Sequence, residues 1–210
     1  MRVSKLKAPF LVAVILLTNL GFTYKEVTVH ENYQVHEPMD FSVDFEKRTE
    51  IVSPPFLGRS FNGFREALAF KESRGDYFSI NKFGYMGKYQ FGASTLKMVG
   101  VYNTKEFLND PELQEEVFVA NLRRNKWILR RDIKRFVGKK IRGVKVTESG
   151  ILAAAHLGGA GNVKKYLRSY GAYSFEDAYG TSLRYYMKRF GDYDVSHIEQ
   201  ERRAQAAVKS

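Results

Sequence analysis

A glutamate near the end of a short amphipathic stretch is the residue best placed to do chemistry. Glu72 lies in the stretch 61–73, which carries aromatic and aliphatic side chains at helical spacing. On a helix it shares a stripe with Phe64 and Leu68, and such a stripe faces the apolar core. A carboxyl group held against apolar surface resists ionisation and can donate a proton near neutral pH. The spacing therefore predicts a general acid, with a surface glutamate at a frayed helix end as the alternative.

Two glycine-rich segments follow at a distance along the chain. The first is Gly84-Tyr-Met-Gly-Lys-Tyr-Gln-Phe-Gly92, whose glycines favour a loop or small hairpin over residues 76–93. The second is Ala153-Ala-Ala-His-Leu-Gly-Gly-Ala-Gly-Asn-Val163, where the alanines indicate close helix packing. Asp76, four positions after Glu72, is the nearest candidate for a second carboxylate. A glycine precedes it, so we expect a turn residue instead.

Other reaction classes find little support in the sequence. There is no cysteine, which excludes a thiol nucleophile, a disulfide framework and a lipidated cysteine. The four histidines show no metal-ligand spacing. The first glycine-rich segment also lacks the following Lys-Ser/Thr of a phosphate-binding loop. We therefore expect no metal and no cofactor.

Helical patterns dominate the chain after residue 58. Asp110 and Thr147 are the N-cap candidates, and Pro111 fits a first helical position. The predicted fold class is mainly α (α+β), with one small irregular or β lobe. Helices are predicted over about 60–73, 95–101, 111–137, 147–158, 163–170 and 182–190.

The first 24 residues have the composition of a targeting segment. Arg2, Lys5 and Lys7 precede an uncharged, largely apolar run over residues 8–22, which is shorter than a comfortable bilayer span. This pattern predicts an exported protein of the periplasm or cell envelope. The residues at the end of the run form a weak cleavage site, so 1–24 is either a signal peptide or an uncleaved membrane anchor. We interpret 25–58 as a polar linker, 59–192 as the folded domain and 193–210 as a polar tail.

The formal net charge is +11, and the bases concentrate in residues 123–145, where Asp132 is the one acid. We call residues 123–145 the basic segment. Such a run usually forms a solvated helix face, and the alternative is binding of acidic glycan or anionic lipid headgroups. For an exported chain, acidic wall polymers and an anionic membrane surface fit better than nucleic acid. We therefore expect no nucleic-acid partner.

Three segments, in this order, resemble those of the lytic transglycosylases, which have a lysozyme-like fold. They are the Glu72-Ser73 pair, residues 84–92, which we call the glycine loop, and residues 153–163. In that family a Glu-Ser pair carries the catalytic acid and a Gly-x-x-Gln-type loop follows. An Ala-Tyr-Asn-Ala-Gly-x-Gly-like turn then precedes a Val-x-x-(Tyr/Trp)-Leu helix. The resemblance covers about residues 59–192. It implies that peptidoglycan glycan strands are bound and cleaved between N-acetylmuramic acid and N-acetylglucosamine, giving anhydro-muropeptides.

The resemblance also implies roles for individual residues. Glu72 would act as acid and then as base, and Ser73 would orient it. His156 stands where the family usually has Asn, and the turn is one residue longer, so the sugar contacts should differ. The simpler interpretation of each binding candidate is structural: a helix-end serine, a loop amide, core aromatics and a packed histidine. The implied substrate-binding residues are Ser73, Tyr89, Gln90, His156, Tyr185 and Tyr186.

Two other functions remain open at the level of sequence. A hydrolytic muramidase on the same fold would use water and a second acidic group. A non-catalytic module would use the cleft and the basic segment to bind cell-wall glycan. Either the muramidase or the binding module could work within a cell-envelope complex.

Overall fold

The computed structural model describes residues 57–206, which belong to one unit of the chain. Helices contain 53% of these residues, so the predicted mainly α class is confirmed. In chain order the elements are α1 (Phe61–Ser73), α2 (Ala93–Met98), α3 (Thr104–Asn109), α4 (Pro111–Phe136), β1 (Lys140–Ile141), β2 (Val144–Lys145), α5 (Glu148–Arg168) and α6 (Leu183–Arg189).

The core is organised around α5, which packs against both α4 and α6. Residues 151–155 of α5 are buried, and three of them are alanines, as the prediction of close helix packing requires. Helix α1 adds the fully buried side chains of Phe64 and Leu68 to the same core. The apolar stripe of α1 therefore faces inward, and Glu72, one turn after Leu68, lies at the edge of the core.

Local capping chemistry sets the ends of the long helices. The Asp110 side chain accepts a hydrogen bond from the Leu113 amide at 3.0 Å, and Thr147 accepts one from the Gly150 amide at 3.1 Å. Both predicted N-caps are confirmed. Helix α1 ends where Arg74 adopts a left-handed conformation with φ of 60°. The chain turns away there, immediately after Glu72-Ser73.

The structure differs from the sequence expectation in three places. The helices predicted over 147–158 and 163–170 are both present, but the break between them is the single residue Gly159, whose φ of 77° and ψ of 153° are not helical, instead of a longer turn; we treat Glu148–Arg168 as one kinked helix, α5. Helix α3 was not expected, because its six residues carry no clear period. The hairpin of β1 and β2 was also missed, although Arg142-Gly143 between the strands fits a two-residue turn.

The segment expected to be a polar tail packs onto the domain. Val195, Ile198, Ala204 and Ala206 are buried, and the amide of Ala206 donates to the carbonyl of Val99 at 2.9 Å. No helix forms over 193–206. Residues 193–206 thus contribute core contacts beyond the predicted boundary at residue 192.

Two predicted segments lie outside the described residues. They are the signal peptide or anchor over 1–24 and, apart from its last two residues, the linker over 25–58. Within 57–206, every helix is too short or too polar to cross a bilayer.

A buried amide holds the glycine loop against the helices. Gln114 is fully buried, and its amide nitrogen donates to the carbonyls of Tyr77 at 2.9 Å and Phe107 at 3.0 Å. Its amide oxygen accepts from the backbone of Lys88 at 2.8 Å. A Cβ at Gly87 would lie 2.2 Å from that oxygen, so only glycine lets the loop approach this closely. The position of the loop therefore depends on one side chain of α4.

Replacing Gln114 with methionine tests this brace. The variant Gln114→Met keeps the side-chain volume but removes the partner of the Tyr77 carbonyl and of the Lys88 amide and one of the two donors to the Phe107 carbonyl. We expect the free energy of unfolding to fall by about 3 kcal/mol or more. Denaturant unfolding measures it. The exposed Gln200→Met should change stability by about 0.5 kcal/mol at most, and equal losses for the two variants would contradict the bracing role.

Candidate active site

A cavity of about 330 Å³ collects four of the residues singled out in the sequence. Glu72 comes from the end of α1, Gln90 from the glycine loop, His156 from α5 and Tyr186 from α6. These residues are far apart in the chain and meet only because the helices pack around α5. The cavity is the natural place to look for chemistry.

Glu72 is held by one short hydrogen bond. The hydroxyl of Tyr186 donates to its Oε1 at 2.5 Å. The Tyr186 side chain is almost completely buried, and burial together with the Glu72 carboxylate raises the pKa of its hydroxyl far above the ordinary value. Tyr186 therefore stays protonated and remains a donor. The bond fixes one oxygen of the carboxyl group at the wall of the cavity.

His156 presents an unpartnered nitrogen beside Glu72. Its Nε2 lies 2.9 Å from the carbonyl oxygen of Tyr89, and a carbonyl only accepts, so Nε2 carries the proton. Its Nδ1 is then an acceptor, and it is buried without a hydrogen-bond partner among the described residues. Burial lowers the pKa of the imidazole, and the nearby Glu72 carboxylate partly offsets this decrease. His156 is thus a neutral ring offering one lone pair.

Gln90 is held in a conformation that few non-glycine residues adopt. Its φ is 52°, and its side-chain nitrogen donates to the carbonyls of Gly87 at 2.9 Å and Ser79 at 3.3 Å. The amide nitrogen is therefore committed to the loop, and the amide oxygen is the group that Gln90 can offer to a ligand. A strained backbone of this kind is common at ligand sites.

A second cavity, of about 480 Å³, continues from the first. Both are lined by Tyr85, Gln90, His156 and Leu157, so these four residues form their shared wall. The second cavity extends along the glycines at the kink of α5. We call the two cavities together the groove. Glu72 lines the first cavity, and Gln90 and His156 lie at the junction of the two.

Three predicted binding residues do not line the groove. Tyr89 is fully buried, stacks on Phe118 with ring centroids 4.0 Å apart, and donates from its hydroxyl to Glu115 at 2.7 Å. It is a core residue, so the expectation that it contacts a sugar is wrong. Ser73 donates to the carbonyl of Lys88 at 2.8 Å and so ties the end of α1 to the glycine loop. Tyr185 is 43% exposed and does not line the cavity that Tyr186 lines.

Buried charges fix the glycine loop from behind. The ammonium group of Lys88, with its side chain 5% exposed, lies 2.8 Å from Glu66 and 2.9 Å from Glu115. Burial alone would lower the pKa of Lys88, but the hydrogen bonds to these two carboxylates raise it above its ordinary value. Hydrogen bonds from Tyr77, Lys88 and Tyr89 outweigh burial at Glu115 and lower its pKa. The cluster is a fully charged anchor for the loop that carries Gln90.

A second carboxylate in the first cavity was not found by sequence reasoning. Asp177 lines that cavity with Glu72, and its Oδ1 accepts from the amides of Tyr179 at 2.9 Å and Thr181 at 2.7 Å. The Asp-x-x-Gly turn before α6 was the available signal. Asp76, by contrast, is exposed and accepts from the Phe78 amide at 2.8 Å, which confirms the predicted turn role.

Exposed aromatic rings line the mouth of the same cavity. Phe83 and Tyr179 meet edge to face at 5.4 Å, and the ammonium of Lys82 lies over both rings. Tyr85 is 47% exposed and lines both halves of the groove. Rings of this kind offer flat apolar faces to a ligand. Within residues 57–206 no group of three or more His, Asp or Glu side chains could hold a metal ion.

No family model, curated protein or solved structure matched this chain in the three comparisons. Its function must therefore be inferred from the residues of the groove.

The buried imidazole makes folding stability depend on pH. The unfolded chain binds a proton at this position below about pH 6.5, whereas the folded chain resists it because burial lowers the pKa of His156. Stability therefore falls as the pH decreases from 6.5, by at most about 1.4 kcal/mol per pH unit from this group. We expect the His156→Gln variant to lose less stability than the wild type between pH 6.5 and 5. Denaturant unfolding at several pH values measures the free energy of unfolding of both proteins. Equal losses for the wild type and His156→Gln over this range would contradict the expectation.

Proposed function

We propose that this protein is a lytic transglycosylase that cleaves peptidoglycan between N-acetylmuramic acid and N-acetylglucosamine. The observation that carries the proposal is the carboxyl group of Glu72, held by the buried Tyr186 hydroxyl at the wall of the groove. The resemblance of three ordered sequence segments to that family supports it. The fold is then lysozyme-like, and the site works in the cell envelope, where the substrate lies.

Glu72 performs both proton transfers in this reaction. Its carboxyl group gives a proton to the glycosidic oxygen as the bond from C1 of the muramic acid to that oxygen breaks. The oxygen of the C6 hydroxyl of the same sugar then bonds to C1, and the carboxylate takes the hydroxyl proton. The atoms balance without water, and the products are an anhydro sugar and a free 4-hydroxyl. Tyr186 keeps the carboxyl group in place for both steps.

The junction of the groove supplies sugar contacts. The neutral His156 offers Nδ1 as an acceptor, and Gln90 offers its amide oxygen. Both can accept from hydroxyl or N-acetyl N–H groups of a glycan. The exposed rings of Tyr85 and Tyr179 supply stacking faces. This set of acceptors and rings matches an uncharged amino-sugar chain better than an anionic polymer.

Asp177 favours a hydrolytic muramidase as the second candidate. It places a second carboxylate in the cavity that Glu72 lines, which is the group that a water-activating enzyme needs. Its Oδ1, however, already accepts two backbone amides of its own loop. We favour the transglycosylase because this commitment gives Asp177 a sufficient structural role.

A third candidate is a wall-binding module without activity, supported by the basic segment. On α4 the guanidinium group of Arg130 lies 4.0 Å from the centre of the Trp127 ring. The guanidinium group of Arg202, in the 193–206 segment, lies 5.3 Å from the same ring centre. Asp132 does not offset the positive charge, since it is buried and paired with Arg168 at 2.8 Å. The positive face can hold the protein on acidic wall polymer or on an anionic membrane surface, alone or in a cell-envelope complex. The same positive face would hold an active enzyme on its substrate equally well.

The Glu72→Gln variant tests the catalytic role. It removes the proton donor while keeping size and hydrogen bonding, so cleavage of purified peptidoglycan should fall by at least about 100-fold. Sedimentation with the wall should be unchanged. The loss of turbidity measures cleavage, and the amount of protein that pellets with the wall measures binding. A wild-type protein that pellets with the wall but releases no fragments would establish the binding module instead.

Two neighbouring tyrosines make a matched pair for the positioning bond. Tyr186→Phe removes the donor to Glu72, and we expect kcat to fall about tenfold or more with KM nearly unchanged. Tyr185→Phe makes the same chemical change on the exposed neighbour and should leave kcat within about twofold. Initial rates on soluble glycan strands measure both. Equal effects of the two changes would rule out the positioning role of Tyr186.

The products and the Asp177→Asn variant distinguish the two enzymes. Asparagine keeps the turn-forming acceptor and removes the charge. A transglycosylase releases anhydro-muropeptides, one water lighter than reducing ends, and keeps its activity in Asp177→Asn. A muramidase releases reducing ends and loses at least about 100-fold in rate. Mass spectrometry of the digest reads the product.

A further inference from the structure

A separate cavity of about 310 Å³ lies beside the hairpin and the start of α6. We call it the arginine cavity, after Arg142 and Arg184, which line it together with Tyr166. Phe175 lines both this cavity and the second half of the groove, so the two sites are neighbours. Nothing in the proposed reaction uses these residues.

The chain is shaped to place Arg142 in this cavity. It occupies the first position of the two-residue turn between β1 and β2, with φ of 47°, a region that non-glycine residues seldom adopt. Its stem lies against Gly171, where a Cβ would come within 2.6 Å of the Arg142 Cγ. Gly171 itself has φ of 78°. A strained backbone and an absent side chain therefore both serve the position of one guanidinium group.

The guanidinium groups of the two arginines are unpaired within the described residues. Neither Arg142 nor Arg184 forms a side-chain ion pair or hydrogen bond with another residue of 57–206, although the Glu176 carboxylate lines the same cavity. Both guanidinium groups lie close enough to the Tyr166 hydroxyl to favour its ionised form. Both side chains are exposed, and an anion between them would gain attraction from two positive charges.

Tyr166 supplies a third donor that lacks a partner. Its side chain is 4% exposed, and its hydroxyl is buried without a hydrogen bond to any described residue. Buried hydroxyl groups in native proteins are nearly always satisfied, and an unsatisfied one points to a ligand or bound water. Burial raises the pKa of this hydroxyl, so it is a neutral donor at neutral pH.

The geometry points to a binding site for a carboxylate, and we propose that the arginine cavity holds the carboxylate of a small or branched ligand. The planar guanidinium group matches a carboxylate, and the Tyr166 hydroxyl gives a further hydrogen bond. Phe175 and Leu183 add apolar wall for the stem that carries the charge. Glu176 also lines the cavity, and its charge disfavours a doubly charged phosphate. The proposal does not depend on the groove being catalytic.

Titration with N-acetylalanine, a carboxylate on a short amide stem, tests the site. At fixed ionic strength we expect saturable shifts of the backbone amide NMR signals of residues 171–184 in the full chain. Arg184→Gln should weaken binding roughly tenfold or more. Tyr166→Phe should weaken it several-fold without lowering the Tm, because its hydroxyl makes no bond inside the protein.

A matched variant and a second anion complete the test. Arg189→Gln removes the same charge from the same helix but lies outside the cavity, so N-acetylalanine affinity should be unchanged. Equal losses for Arg184→Gln and Arg189→Gln would show general charge attraction and overturn the proposal. It would also be overturned by inorganic phosphate binding more tightly than N-acetylalanine, by the absence of saturable binding, or by a lower Tm for Tyr166→Phe.

Discussion

The hydrogen bond from Tyr186 to Glu72 joins the first and last helices of the described domain at the wall of the groove. It can form only if α1 and α6 both take their places in the common core, because the two residues are 114 positions apart. The tyrosine is buried and the glutamate is half-buried, so the bond lies at the boundary between core and solvent. Both the proposed reaction and the shape of the first cavity depend on it.

The glycine loop is the second constraint, and polar contacts fix it in addition to the buried side chains of Met86, Tyr89 and Phe91. Gln114 binds the loop backbone, Lys88 bridges two carboxylates, and Ser73 ties the loop to the end of α1. A loop held this way loses little entropy when a ligand binds, since its conformation is already set. The same contacts explain how Gln90 is kept in a left-handed conformation. The segment that the sequence predicts as a loop or small hairpin is therefore held by several contacts at once.

The groove and the arginine cavity divide the ligand chemistry between them. The groove offers neutral acceptors, aromatic faces and the carboxyl groups of Glu72 and Asp177, which suit an uncharged sugar chain. The arginine cavity offers two guanidinium groups and a hydroxyl donor, which suit a carboxylate. Because Phe175 contributes to both walls, a polymer that carries acidic branches would satisfy the two sites at once. The basic segment contributes to both sites, since Arg124 lines the second cavity of the groove and Arg142 lines the arginine cavity.

Local signals in the sequence were sufficient for the mainly α class, the two N-caps and the apolar stripe that leads to Glu72. These features depend on neighbouring residues and on helical period, which a sequence displays directly. Tertiary packing alone decided that Tyr186 and not Tyr185 reaches Glu72, that Tyr89 is a core residue, and that Asp177 shares the first cavity. Adjacent residues on a helix face different ways, and only the packed partner selects one. Whether a side chain lines a cavity or lies in the core depends on residues far away in the chain, and no local sequence pattern specifies which of them will pack against it.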